Sequence, residues 1–363
     1  MTDHHPDGVR NTGEGEKSVI GDVADRKADA DGPEGTRLAP RLGRTLLVGL
    51  TWAALAILAV LALGRLTHLD DALAYPYTVI NALTPLVYLP AYAAVAVGFG
   101  VRRNLLILAA VPLIGLHVFW TVAELWPSSP DGRPAGSIPL RLLTANLQYS
   151  NAQAGRLDPQ IAARRPDIVV LEEVSPLTLA GVSGSGALAG YQYHVVHPDL
   201  GAFGYAVYSR FPLSDVRVPQ VGREPLARMT VTIGEGRQFT LFAVHTISPT
   251  TTAYTKRWRA QLDQLAADVR ASPLPVVLAG DFNATRDHRP FRHLVDSGVR
   301  DAHDVAGAAW SPTWPADQVL PPVIRIDHVL ASPAFAITGY HRGDDDGSDH
   351  LPLIVDLALR SRS

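Results

Sequence analysis

Asn146, Glu173, His245, Asp281, Asn283, Asp327, Asp349 and His350 each stand at or beside the end of a short apolar run. Carboxylates can hold a cation or take a proton, imidazoles can donate one, and carboxamides can orient both. The stretch that defines the pattern is 275–285, PVVLAGDFNAT. Its apolar residues 276–279 have the length and β-branched content of a buried strand. After Gly280, Asp281 and Asn283 flank Phe282, and strand alternation points both to one side. A single strand end of this kind also fits an Asx turn that only satisfies its own backbone. Here other runs close in the same way: 140–145 in Asn146, 168–171 in Glu172-Glu173, 239–244 in His245. Arg325-Ile326 leads into Asp327-His328, and Ser348-Asp349-His350 precedes the last run. Polar groups collected at strand ends build a site on a rigid scaffold.

The elements that position them are short apolar runs separated by turn residues, at 140–147, 167–171, 191–196, 204–209, 229–233, 239–244, 276–279, 326–330 and 353–357. Helical spacing occupies 159–165 and, most clearly, 252–270. Many strands with few helices predict an α/β fold: two sheets packed face to face with helices outside, over residues 139–360.

Ahead of this domain the composition changes twice. Residues 1–36 carry nine acids against four bases, Arg10, Lys17, Arg26 and Lys27, with no apolar periodicity, which predicts a disordered acidic tail. Three apolar blocks fill 37–126, at 45–63, 73–100 and 105–126, each long enough to cross a bilayer. Pro76, Pro85 and Pro90 interrupt the second, and Trp120 and Trp126 suit an interfacial belt in the third. Three transmembrane helices are therefore expected. Arg37, Arg41, Arg44, Arg102 and Arg103 outweigh Arg65, so the positive-inside rule puts the N-terminus in the cytoplasm and the catalytic domain outside, on a multi-pass plasma-membrane protein. Residues 127–138, PSSPDGRPAGSI, read as a linker.

Composition excludes some chemistry. The 363 residues contain no Cys, which removes disulfides, thiol nucleophiles and cysteine-ligated zinc. With 47% hydrophobic residues and a net charge of −3, the chain is neither disordered throughout nor strongly basic.

Taken in order, TANLQYS, PDIVVLEEV, GYAVYSRFPL, FAVHT, AGDFN, RIDHVLAS and GSDHLPL resemble the endonuclease/exonuclease/phosphatase, or DNase I-like, superfamily across about 139–359. The resemblance implies a two-sheet sandwich and a metal-dependent phosphoric ester hydrolase. Phosphoester cleavage needs an activated water, a clamp on the phosphoryl oxygens and help for the leaving group. Mg²⁺ (or Mn²⁺) on one or two carboxylates suits the clamp.

By the same resemblance, Glu173 is the metal carboxylate, Asn146 orients it or a metal-bound water, and Asp349 supports the metal. Glu172 stands where relatives have Gln, and alternation turns it away from Glu173. Asp281 is the base or orienter of the water, Asn283 a donor to a phosphoryl oxygen, and Asp327 with His350 a carboxylate–imidazole pair. His245 corresponds to a phosphate-contacting position of the sphingomyelinase-like branches. Arg228 either reaches a phosphate or faces solvent. His288, His293, His303 and His341 are expected at the surface, His328 facing away from the site, and 344–346 as a solvated turn.

From Ser137 onward 21 Lys and Arg face 22 Asp and Glu, too little positive charge for the counterion release that drives duplex binding. Nucleic acid is thus the weaker expectation. An anchored site favours a substrate confined to the same plane, a lipid-linked phosphate. The architecture also resembles the VanJ/StaP-type actinobacterial glycopeptide-resistance membrane proteins, which implies undecaprenyl pyrophosphate or a related cell-wall carrier. Membrane lipids are the expected partners, with no obligate protein partner evident. Alternatives are an extracytoplasmic nuclease or sphingomyelinase-like phosphodiesterase, and a non-catalytic lipid-phosphate or glycopeptide sensor.

Overall fold

The computed structural model describes residues 35–67, 75–218, 226–307, 309–316 and 321–361. The acidic segment expected to be disordered lies outside these, apart from residues 35 and 36, which begin a helix. The chain divides into two compact units, 1–53 and 54–363, and the described part of the first is the opening stretch of helix α1 (Gly35–Leu66).

In the second unit the end of α1 is followed by α2 (Pro76–Ala82), α3 (Thr84–Val87), α4 (Leu89–Gly100) and α5 (Asn104–Leu125). Leu58, Ala62, Ala91, Ala94, Leu106 and Ala110 bury against one another, and small residues at such seams let helices approach closely. On the outside Phe99, Leu105 and Phe119 stand about 70% exposed (69%, 69% and 74%), an apolar surface that water does not favour and hydrocarbon does. Two helices, Arg41–Leu66 and α5, are long and apolar enough to cross a membrane. The block expected to be one span is instead bent by 80° between α2 and Thr84–Gly100. Pro85 and Pro90, each at the start of its helix, lack the N–H that would continue the preceding one.

The domain that follows holds β1 (Ile138–Asn146), α6 (Asp158–Arg164), β2 (Ile168–Glu172), α7 (Pro176–Ser183), β3 (Tyr193–His197), β4 (Tyr205–Ser209), β5 (Leu213–Arg217), β6 (Leu226–Ile233) and β7 (Arg237–His245). It continues through α8 (Thr252–Ala271), β8 (Val276–Asp281), α9 (Arg289–Val295), β9 (Arg300–Asp301), α10 (Ala302–Ala306), β10 (Asp327–Ala331), β11 (Phe335–Arg342) and β12 (Leu353–Leu359). Two six-stranded sheets form, ordered β11-β12-β1-β2-β4-β3 and β5-β6-β7-β8-β10-β9. Leu142, Val170, Leu241, Val277, Val329 and Val355 fill the space between them. Trp258 and Leu262 of α8 cover the outer face of one sheet, and Ile161 and Val182 lie on the other. The expected α/β sandwich is the observed one.

Between α5 and β1 the linker is tied to the domain: the Asp131 carboxylate accepts from Arg300 Nη2 at 2.7 Å and from the Ile337 amide at 3.0 Å. One local expectation changes. The acidic turn is not all solvated. Asp344 and Asp345 are exposed, but Asp346 is buried, with Oδ1 accepting from the Ser348 amide at 3.1 Å. Burial, with Asp345 beside it, raises the Asp346 carboxyl to about 7.

A carboxyl raised on folding binds its proton more tightly in the folded state. The stability this lends at acid pH is lost as the pH climbs from the ordinary carboxylate range through about 7. Asp346→Asn, which keeps the acceptor for Ser348, is therefore expected to raise Tm at pH 8 by roughly 2–4 °C and to change it little at pH 4. Thermal unfolding of the full chain at the two pH values checks this.

Candidate active site

Strand register assembles the first part of the site. β7 runs parallel to β8 and pairs His245 with Asp281, while β10 runs antiparallel and pairs Asp327 with the same Asp281. Residues level with one another on adjacent strands share a face, so imidazole, carboxylate and carboxylate stand in a row. In the other sheet Asn146 lies level with Glu172, and the next residue, Glu173, leaves the strand with φ +54°. Asn283 also has a positive φ, +46°. Such backbone costs on the order of 1–3 kcal/mol for a non-glycine residue and persists where surrounding contacts enforce it.

Those contacts are present. Glu173 Oε2 accepts from the Tyr149 amide at 3.1 Å, and Asn146 Nδ2 lies 3.2 Å from both Glu173 Oε1 and Asp281 Oδ2. Asn146 Oδ1 is taken by the Gln148 amide at 2.9 Å, so Asn146 turns its nitrogen to the acids and orients them; it does not present an oxygen to a cation. Asn283 donates through Nδ2 to Thr246 O at 2.9 Å and Asp281 Oδ2 at 3.2 Å. With both amide hydrogens engaged, it braces Asp281 rather than donating to a phosphoryl group. His350 Nδ1 sits 2.9 Å from Asp327 Oδ2, and its Nε2 is 3.8 Å from Asp281 Oδ2. Ser348 fixes that loop by donating to Asn146 O at 2.6 Å and accepting from the His350 amide at 3.1 Å. Asp349 accepts from Trp314 Nε1 at 3.2 Å.

Gly280 is required where the sheets meet. Its φ is +139°, and a Cβ there would run into Val244 O and sit 2.8 Å from Glu172 Oε1. Glu172 therefore fills the space beneath the site, accepting from Thr144 Oγ1 at 2.9 Å. Burial pushes its carboxyl well above the usual range, with Asp327 and Asp281 adding to the rise.

The electrostatics are those of surplus negative charge. Burial and the neighbouring Asp327 raise Asp281 to about 6 despite His350 and His245 nearby. Burial would depress the His350 imidazole, but Asp327 and Asp281 outweigh it and lift it to about 10, so it is an imidazolium at neutral pH. Asp281, Asp327 and His350 bring their donor atoms within 4.8 Å of one another, a set that could hold a metal if the cation displaced the imidazolium proton. The oxygens of Glu173 and Asp281, bridged by one amide, form the hard donor set that suits Mg²⁺ or Mn²⁺, and a cation would relieve the crowding that raises Asp281. A second gathering, Glu124, His303 and Asp304, is already matched by Arg325 and Arg286.

Glu173, His245, Asp281, Asn283, Asp349 and His350 all line one cavity of about 720 Å³, with Arg257 and Tyr254 of α8 on its rim. Arg228 is not among the lining residues; it lies on β6 opposite Phe242, two strands from β8. His288 and His303, expected at the surface, are buried. His328 does face away from the site, its Nδ1 2.8 Å from Asp301 Oδ2. Sequence reading also missed Thr78, Val79 and Ala82 of α2 in the cavity wall. No local signal marks an apolar helix as part of a site two hundred residues away.

The sequence profile of the endonuclease/exonuclease/phosphatase family matches residues 143–350. Among solved structures, the chain is similar to a protein of that description from Bacteroides thetaiotaomicron, at 18% identity and TM-score 0.52 over 62% of this chain and 100% of that one. A counterpart from Bacteroides vulgatus gives 16% identity and TM-score 0.53 over 61% and 100%. The human Nocturnin catalytic domain with bound sulfate gives 20% identity and TM-score 0.50 over 63% and 96%. These likenesses speak for the fold. No match was found among curated proteins.

Asp281→Asn and His350→Ala are each expected to lower kcat for phosphoester hydrolysis by about 10²–10⁴. Steady-state rates on folded variants check this, with Arg228→Ala expected near the parent rate.

Proposed function

Because this chain belongs to the endonuclease/exonuclease/phosphatase family and is a phosphoric ester hydrolase, we propose that it is membrane-anchored, uses Mg²⁺ or Mn²⁺, and cleaves a lipid-linked phosphate or pyrophosphate outside the cytoplasm. The observation that carries the lipid reading is the seam between the apolar helices and the sandwich. Arg65, in the last turn of α1, meets Asp287 at 2.7 Å, and Glu124, at the end of α5, takes both Arg325 Nε at 3.1 Å and Nη2 at 3.0 Å. A catalytic domain pinned at two helix ends works at a fixed height above the bilayer.

The seam also bears on topology. Both α1 and α5 end against the sandwich, so the chain between them must return, and Thr84–Gly100 is about 25 Å long at 1.5 Å per residue. That is close to a hydrocarbon core and supports three crossings. Arg65, neutralised by buried Asp287, drops out of the loop charge count. In the sequence, Arg37, Arg41 and Arg44 ahead of the first apolar block and Arg102 and Arg103 in the second link then have no counterweight, which favours a cytoplasmic N-terminus and an extracytoplasmic site.

A hard divalent cation held by Glu173, with Asp281 beside it, would supply Lewis acidity to a phosphoryl oxygen. Asn146 holds those two carboxylates in register. Asp281, raised toward neutrality and steadied by Asn283, takes the proton of the attacking water. The imidazolium of His350, kept charged by Asp327, offers Nε2 to the negative charge that develops on phosphorus-bound oxygen. His245 Nε2, 3.8 Å from both Glu173 and Asp281, stands on the opposite flank for the leaving group. The resemblance to glycopeptide-resistance proteins makes undecaprenyl pyrophosphate the first substrate to try.

Purified full chain offered undecaprenyl pyrophosphate, sphingomyelin and supercoiled plasmid with Mg²⁺ is expected to release phosphate from the first alone. EDTA should abolish this and added Mn²⁺ or Mg²⁺ restore it. Nicked plasmid with untouched lipid would replace the proposal by a nuclease, and lipid binding without turnover by a sensor. A reporter fused after Trp126 should be active only outside the cytoplasm.

A further inference from the structure

The cavity that contains the site is larger than a phosphoryl group needs and is not made by the sandwich alone. Glu173, Asp281 and His350 line it, and so do Thr78, Val79 and Ala82 of α2 beside Ile324 and Ile326. About 720 Å³ is room for a drug-sized ligand, of which one phosphate uses a small share. Besides α2, much of the remaining lining is apolar, including Ala202, Phe203, Ile247 and Pro249. Val79 is 39% exposed, whereas Ile324 and Ile326 are covered to 9% and 6%.

The wall is fixed in place. Asn81 Nδ2 donates to Asp287 O at 2.9 Å, and Tyr77 Oη to Leu61 O at 2.9 Å. His288 Nδ1 accepts from the Thr285 amide at 2.9 Å, which leaves its Nε2 as the protonated nitrogen facing Thr78 O at 2.9 Å. Burial lowers His288 to about 4, so this neutral tautomer holds across ordinary pH. Ala82 packs with Ile324 and Ile326, which line the cavity with it. Because α2 turns 80° from Thr84–Gly100, a helix that crosses a bilayer along Thr84–Gly100 leaves α2 lying along its surface.

We propose that α2 is the hydrocarbon-facing wall of the active site: the first carbons of a lipid chain pass over Thr78, Val79 and Ala82 while the phosphate rests at Asp281 and His350, so that the anchor itself selects for long-chain substrates. This rests on the lipid-phosphate reading above and adds the residues that enforce it. The apolar residues of α2 and the acids of the site line one and the same cavity, and an amphiphile is the ligand whose two ends match those two surfaces. A water-soluble phosphoester would leave the α2 end empty.

Two measurements on the full chain in nanodiscs test the proposal. The first compares kcat/KM for a long-chain polyprenyl pyrophosphate and for isopentenyl pyrophosphate. Val79→Asp is expected to lower the long-to-short ratio at least tenfold, through KM more than kcat, and Val79→Leu to restore it. An unchanged ratio in folded Val79→Asp overturns the proposal. The second needs no turnover. The chain has no cysteine, so Val79→Cys carries a single thiol whose maleimide labelling can be timed. A long-chain polyprenyl phosphate should slow labelling at least fivefold, whereas the corresponding polyprenol and inorganic phosphate should not. Hydrolysis of the lipid with no protection overturns the wall and leaves the hydrolase standing. Protection with no hydrolysis keeps the wall and removes the hydrolase. Equal protection by the polyprenol means bulk lipid only and overturns the proposal.

Discussion

Carboxylates that must sit close together out of water are the constraint from which the rest of this structure follows. Asp281 and Asp327 lie level on neighbouring strands, Glu173 and Asp349 border the same cavity, and Glu172 is sealed beneath. Like charges at such spacing cannot all ionise in a dry pocket. The molecule answers in two ways. His350 is placed against Asp327 with Asp281 within reach, and its charge is held by them; burial pushes the Glu172 carboxyl well up, toward its neutral form. What negative charge is left over is the affinity of the site for a cation.

Holding that arrangement sets demands on neighbouring backbone. Gly280 lets the two sheets approach until Glu172 reaches across, and Ser348 ties the His350 loop to the end of β1. The left-handed turns at Glu173 and Asn283 swing each side chain out of its strand and toward the same centre. Each of these residues helps decide where an acid of the site points.

The seam to the apolar helices obeys the same rule with the signs reversed. Arg325 is buried between Asp301 at 2.7 Å and Glu124 at 3.0 Å. Burial opposes its charge, and those two acids keep it protonated. Burial would also raise Asp301, but Arg325 and His328 hold it well below the ordinary carboxylate range. Breaking one side of such a pair strands a buried charge at a cost of about 3–5 kcal/mol. β10 links the two halves, since consecutive residues alternate faces: Asp327 turns to the catalytic pocket and His328 to the seam. Glu124 at the helix end and the Asp327 partner of His350 are thus joined through Arg325 and His328 by direct contacts.

Local pattern alone was enough to find nine of the strands, their polar ends and the amphipathic helix 252–270, because strand alternation and helical spacing are written within a few residues; the edge strands β5, β9 and β11 did not stand out. It was also enough to bring Asn146, Glu173, His245, Asp281, Asn283, Asp327, Asp349 and His350 under suspicion. What those residues do to one another was decided elsewhere. Asn146 and Asn283 became orienting groups because the Gln148 amide and Thr246 carbonyl took their free valences. His288 is buried where it meets a backbone carbonyl 210 positions away, and Asp346 where its loop meets Asn151. Arg257, not Arg228, reached the cavity because α8 runs along its rim while β6 lies two strands off. The contribution of α2 had no trace in sequence, since its apolar residues serve a membrane and a pocket equally well until the fold sets it beside one. Residue type and period determine which groups can do chemistry; the long-range contacts that desolvate them determine which ones carry charge and where it points.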